Sequence, residues 1–134
     1  MFRLVYFSTA KLDLKPQDLT DILDTATRTN AERSITGVLL YNGLNFLQLL
    51  EGSRTDVETV FSRIMIDRRH SNIVTVLTEP ASARLFPDWS MMLKRLPAIA
   101  DGPSMKAGEL GDVLEHTLPE HLERIFLNFS RLKG

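Results

Sequence analysis

The stretch Leu44-Asn45-Phe46-Leu47-Gln48-Leu49-Leu50-Glu51 constrains the fold more than any other part of the chain. Drawn out as a strand, it sets Leu44, Phe46 and Leu50 on one face and Leu47 and Leu49 on the other, because successive side chains alternate. A strand that is apolar on both faces is stable only inside a sheet covered on both sides. The fold therefore needs a sheet with two covers. The 134 residues, 43% hydrophobic and 25% charged, suffice for one compact domain of that kind and are not the composition of a disordered chain.

The flanking patterns set the order of elements. Phe2 to Ser8 reads as a first strand, rich in aromatic and β-branched residues. A helix follows, with Pro16 in its first turn and Leu19, Ile22, Leu23 and Ala26 at i, i+3, i+4 and i+7. Ile35 to Tyr41 and Leu44 to Glu51 form a hairpin through Asn42-Gly43. Ser53 and Asp56 open a second helix, with a stripe of Val57, Val60, Phe61 and Ile64, that ends near Arg68. Ile73 to Leu77 and Trp89 to Leu93 complete a βαββαββ order. This predicts an α+β fold, a ferredoxin-like βαββαββ sheet with two helices on one face.

C-terminal helices are expected to cover the other face. After the Pro and Gly punctuation from Pro97 to Pro103, Leu110, Val113 and Leu114 make a weak helical stripe, and Leu118, Leu122, Ile125, Phe126 and Phe129 a strong one. The strong stripe either caps the sheet or exceeds what the sheet needs and serves as an oligomer or partner surface.

Charge and cysteine content exclude several classes of function. A net charge of −1 gives no general attraction for nucleic acid or acidic membranes. With no cysteine, disulfides and thiolate chemistry are excluded. His116 and His121 lack companions at metal-ligand spacing, so no metal site is expected. The first residues do not form a signal peptide, and no apolar run approaches the roughly 20 residues of a membrane span. The expected location is the cytoplasm.

Three polar residues interrupt apolar patterns. Asn30 continues the first helix's stripe, either as a C-terminal Asn bonding nearby backbone or as a buried amide facing the interior. Gln48 shares a pleat face with Phe46 and Leu50, either as an edge or dimer-facing amide or as a buried one. Tyr6 shares a face with Leu4, and a buried phenol needs a partner. In the ferredoxin-like order the first and third strands are neighbours, so Tyr6 and Gln48 can meet beneath the helix that carries Asn30. An apolar slot with a few convergent polar groups suits a flat heteroaromatic ligand. Asp67-Arg68-Arg69-His70 reads either as a basic helix end matched to the dipole or as a hold on the polar part of that ligand.

Several segments match a known family: Leu4-Val5-Tyr6-Phe7-Ser8; Asn30 with Ile35-Thr36-Gly37-Val38-Leu39-Leu40-Tyr41; Phe46-Leu47-Gln48-Leu49-Leu50-Glu51-Gly52; Asp67-Arg68-Arg69-His70; and Phe86-Pro87-Asp88-Trp89-Ser90-Met91. The chain resembles BLUF domains, blue-light sensors that use FAD. The resemblance spans about residues 1–95 and leaves 96–134 as a helical cap, a signalling or oligomer surface. It implies FAD between the two helices, Tyr6 as electron and proton donor, Gln48 as the amide that switches hydrogen bonds, and Asn30 on the ring edge. It further implies that Phe46 and Ile64 line the ring, that Asp67, Arg69 and His70 lie near its edge and ribityl end, and that Trp89 and Met91 carry the signal from the last strand. Thr29 stands where relatives often place His or Asn.

The function implied is a photosensor rather than an enzyme. With Gly134 ending the chain and no effector domain, output is expected through a homo-oligomer or a separate protein partner, without nucleic acid or membrane. Two other classes share the topology. An RNA-binding module would stack bases on Tyr6 and Phe46, but it calls for a basic surface and an open sheet face. An acylphosphatase-like enzyme needs a phosphate-cradling loop after the first strand, and Ser8 to Leu14 contains no glycine.

Overall fold

The structure, a computed structural model, describes residues 1–95, 114 and 117–130. In chain order it comprises β1 (Phe2–Ala10), α1 (Pro16–Glu32), β2 (Thr36–Tyr41), β3 (Asn45–Gly52), α2 (Arg54–Met65), β4 (His70–Pro80), β5 (Met92–Arg95) and α3 (Glu120–Ser130). The sheet order is β4-β1-β3-β2-β5. Neighbours are antiparallel except β5, which runs parallel to β2. This is the expected α+β, ferredoxin-like arrangement, with β5 added beside β2 by a crossover from the far edge.

Local chemistry starts both early helices. Pro16 opens α1, where Asp18 Oδ2 accepts the Lys15 N–H at 2.9 Å. Ser53 caps α2, its Oγ accepting the Asp56 N–H at 3.2 Å. Both helices pack on one face of the sheet: Leu19, Ile22, Leu23 and Ala26 from α1, and Val57, Val60, Phe61 and Ile64 from α2, meet Leu4, Tyr6, Leu39, Phe46 and Leu50.

The opposite face carries Val5, Val38, Leu40, Leu47 and Leu49, covered by Phe86, Trp89, Leu114, Leu118, Leu122, Phe126 and Phe129. Most of the strong C-terminal stripe thus packs on the sheet's second face, with Ile125 only partly buried. Leu110, Val113 and His116, with the punctuation from Pro97 to Pro103, lie outside the described residues. Because Phe126 is fully buried in this layer, Phe126→Ala is expected to lower unfolding free energy by about 3–5 kcal/mol through lost transfer energy and the cavity left behind. Denaturant midpoints of the variant and the wild type check this.

Four local features differ from the pattern reading. β4 is longer than Ile73 to Leu77, pairing along β1 from Phe2↔Pro80 to Ala10↔His70. As an edge strand it exposes much of its length, so its ends carry no apolar run. α2 stops at Met65 rather than near Arg68, because the Ile64 carbonyl accepts from the Asp67 N–H at 3.1 Å and from His70 Nε2 at 2.8 Å. Asp67 to Arg69 therefore form a turn and not a dipole-matched helix end.

In the hairpin, Asn42 Oδ1 accepts from the Leu44 and Asn45 N–H groups. That leaves Gly43 and Leu44 as the central residues, with Gly43 at φ 97°. Leu44 sits in the turn, 45% exposed, rather than on the strand. Finally, β5 begins at Met92, so Trp89 and Met91 precede the last strand instead of lying on it. The backbone there is diverted: the Trp89 N–H donates to the Phe86 carbonyl at 3.1 Å, and the Trp89 carbonyl accepts from the Gly37 N–H at 3.0 Å.

Candidate functional site

Tyr6 and Gln48 are direct cross-strand partners on β1 and β3. Their side chains point to the helix face, where the Tyr6 hydroxyl donates to Gln48 Oε1 at 2.5 Å. Gln48 Nε2 donates to Met91 Sδ at 3.3 Å. A thioether is a weak acceptor, so the amide's orientation is held chiefly by the tyrosine. All three side chains are buried. Burial pushes the Tyr6 phenol well above its ordinary range, and the nearby Asp67 carboxylate adds to the shift. Tyr6 is therefore held as the neutral phenol, the donor of this pair.

Asn30 comes from the last turn of α1. It is buried, its Nδ2 donates to the Ser90 carbonyl at 3.0 Å, and its Oδ1 has no hydrogen-bond partner. Asn30 is thus a buried amide, and the backbone it binds lies 60 residues away rather than nearby in the helix. An unsatisfied buried acceptor costs about 1–3 kcal/mol. A ligand N–H would remove that cost.

Tyr6, Gln48 and Asn30 line a slot between α1 and α2, a largely apolar cleft with a few convergent polar groups, as ligand sites commonly are. Phe46 and Ile64 form apolar walls, and Asp67, Arg69 and His70 stand at its polar end. Asp67 accepts from the Arg69 N–H and, in a paired contact, from Nε and Nη2 at 2.9 and 2.6 Å. Burial raises the Asp67 pKa, but the Arg69 hydrogen bonds and charge, with His70, outweigh it and hold the carboxyl below the usual range. His70 uses both ring nitrogens within the protein, with Nδ1 2.8 Å from Ser8 Oγ and Nε2 donating to the Ile64 carbonyl. It offers a ligand its ring, set edge-on to Phe46 at 6.3 Å, rather than a free hydrogen bond.

Trp89 and Met91 part company at the sheet edge. Met91 belongs to the slot layer, whereas Trp89 lies in the opposite layer, stacked on Phe86 with centroids 5.2 Å apart. Thr29 lines the slot. So do residues that sequence reasoning did not single out as lining it: Ile22, Thr25, Ala26, Leu39, Val60 and Arg63. The apolar ones share their helix stripe or pleat face with core residues, so periodicity could not separate slot from core. Arg63 carried no signal.

Tyr6 and Phe46 are 3% and 2% exposed beneath the helices, which argues against RNA stacking. Among the described residues, no helix is long and apolar enough to cross a membrane.

The family model for BLUF, sensors of blue-light using FAD, matches residues 1–92. Photoactivated adenylate cyclase subunit beta of Euglena gracilis is 41% identical over 106 residues, covering 73% of this chain and 12% of that protein. The blue light- and temperature-regulated antirepressor BluF of Escherichia coli (strain K12) is 38% identical over 90 residues, 67% of this chain and 22% of that one. This chain therefore spans only a small part of either curated relative. Among solved structures, the dark state of BlrB, a BLUF protein, matches with a TM-score of 0.70 at 34% identity, over 94% of this chain and 83% of that chain.

Proposed function

The chain belongs to the BLUF family of blue-light sensors that use FAD, and from that premise we propose that it binds one FAD noncovalently between α1 and α2 and converts blue light into a rearrangement of the Gln48 hydrogen bonds. The observation that carries this reading is the buried series Tyr6–Gln48–Met91 beside an apolar slot in which Asn30 Oδ1 lacks a partner. The residues fit a flavin. Flat apolar walls suit the ring system, the Asn30 and Gln48 amides suit its carbonyl and N–H edge, and Arg63 and Arg69 suit the negatively charged remainder.

When bound, the excited flavin supplies a strong one-electron oxidant. Tyr6, kept protonated by burial, loses an electron and, with its acidity sharply increased, a proton from Oη. Gln48 Oε1 is the nearest acceptor along that bond. As Gln48 Oε1 takes that proton, an amide proton would leave Nε2 toward the slot with the electron; the return of one electron and one proton restores the Tyr6 phenol, with no net gain or loss, and leaves Gln48 rotated or tautomerised. Its weak bond to Met91 Sδ opposes that change little. No net oxidation remains, and the chain acts as a switch rather than an enzyme. Met91, directly against Gln48, reads the change. Trp89 then passes it to the C-terminal cap of residues 96–134, altering contacts with a second protomer or a separate partner protein in the cytoplasm.

The first test is the chromophore. Purified protein is expected to be yellow, to release FAD on denaturation, and to show a small reversible red shift under blue light. A colourless protein that cannot be loaded with FAD, or one that releases a different chromophore, contradicts the proposal.

A further inference from the structure

Thr36 and Glu51 face each other across β2 and β3 and take no part in the switch as described. Glu51 lies three residues beyond Gln48 on β3, hence on the opposite face of the sheet. It is fully buried, and both carboxylate oxygens are engaged. Oε1 accepts from the Thr36 hydroxyl at 3.0 Å and the Phe86 N–H at 2.7 Å, and Oε2 accepts from the Leu85 N–H at 2.8 Å. Arg84 closes the same cluster, donating to Thr36 Oγ1 at 2.8 Å, to the Glu51 carbonyl at 3.0 Å and to the Ser34 carbonyl at 2.6 Å.

All these bonds hold the crossover between β4 and β5 at its start. Five residues on from Phe86, the same segment delivers Met91 Sδ to Gln48, and Ser90 offers its carbonyl to Asn30. Between the two ends, Phe86 stacks on Trp89, and the Trp89 carbonyl is fixed by the Gly37 N–H. The short span from Phe86 to Met91 thus passes from the cap face to the slot face, pinned at both ends. A thioether contact is too weak to place Met91 by itself. What places it is the pinned backbone.

We propose that Glu51, with Thr36 and Arg84, is a positioning clamp that seats Met91 on Gln48 and Trp89 on the cap layer, so that it sets how firmly the switch is coupled to the far face of the sheet. Glu51 touches neither Gln48 nor the slot. It acts through the crossover. The light-dependent part of this inference rests on the proposed function, and the dark-state part does not.

The test uses the flavin-loaded full chain, whose single tryptophan is Trp89. In Glu51→Ala the Met91 ε-methyl resonance in darkness is expected to move, quenching of Trp89 fluorescence by acrylamide to rise, and recovery from the lit state to change by about fivefold, the scale of one lost hydrogen bond. Glu51→Gln keeps an oxygen for Thr36 and Phe86 and faces only the Leu85 N–H with a donor, so it should fall between the alanine variant and the wild type. This graded rescue is not expected of a residue that merely supports stability. If Glu51→Ala does not fold, Glu51→Gln and Arg84→Gln decide by the same dark readouts. Folded, flavin-loaded variants whose Met91 and Trp89 signals match the wild type overturn the clamp. A wild type with no light response overturns the photoswitch instead, and leaves the dark-state readouts to judge Glu51.

Discussion

Tyr6→Phe is expected to load flavin like the wild type and to lose the reversible light-induced red shift altogether. Phenylalanine preserves the ring that packs at 5.5 Å from Phe61 and lies 6.0 Å from His70. It removes only the hydroxyl that donates to Gln48 Oε1. The ligand's walls and the Asn30 amide are untouched, so binding persists. Stability is expected to fall by about 1–3 kcal/mol, because Gln48 Oε1 is left buried without its donor. The light response has no substitute route. Tyr41, the other tyrosine of the chain, directs its hydroxyl to the Gly43 carbonyl in the hairpin turn, away from Gln48. Steady-state absorption in darkness and under blue light checks the result, and a full-amplitude red shift in this variant contradicts the role of Tyr6.

Gly37→Ala is expected to be among the most destabilising single-methyl additions in the chain. Gly37 pairs with Leu50 on β3 at φ 156°, and a Cβ there would lie 1.9 Å from the Leu49 carbonyl oxygen. That neighbour is backbone at the centre of a sheet and cannot swing aside. Relief requires the β2 and β3 ladder to open, which also disturbs the Gly37 N–H to Trp89 carbonyl bond. Overpacking costs typically about 1–3 kcal/mol even where side chains can adjust, so about 3 kcal/mol or more is expected here. Gly43 makes the contrast. It sits at φ 97° with nothing within 4 Å of a built Cβ, so Gly43→Ala should cost only the conformational term of about 1–2 kcal/mol. Denaturant midpoints for the two variants should differ accordingly, and equal midpoints would contradict the steric account.

The sheet was legible because its central strand declares both faces. Leu47 and Leu49 against Phe46 and Leu50 demanded two covers, and the stripes of α1, α2 and α3 supply them. Tyr6, Gln48 and Asn30 stood out for a related reason, since polar side chains in apolar patterns need partners and the strand order brings them together. Less legible was whatever depends on irregular backbone. The segment from Ala81 to Met91 has neither helical nor strand period, so alternation could not tell that Trp89 and Met91 face opposite layers. The end of α2 was misjudged because Asp67 and His70 compete for the Ile64 carbonyl through a turn that propensity does not encode. The clamp at Glu51 joins residues up to 50 positions apart, and only the fold reveals that a charged residue in an apolar strand is fully engaged.

The most direct test of the switch is to watch Gln48 itself. Side-chain amide resonances of Gln48 and the Met91 ε-methyl resonance, recorded in darkness and under blue light on the FAD-loaded chain, report both ends of the hydrogen bond at 3.3 Å. The account predicts that both signals move on illumination and return with the same time course as the flavin absorption, and that the Met91 shift disappears in Gln48→Ala. A flavin band that shifts and recovers while the Gln48 amide signals stay in place would contradict it.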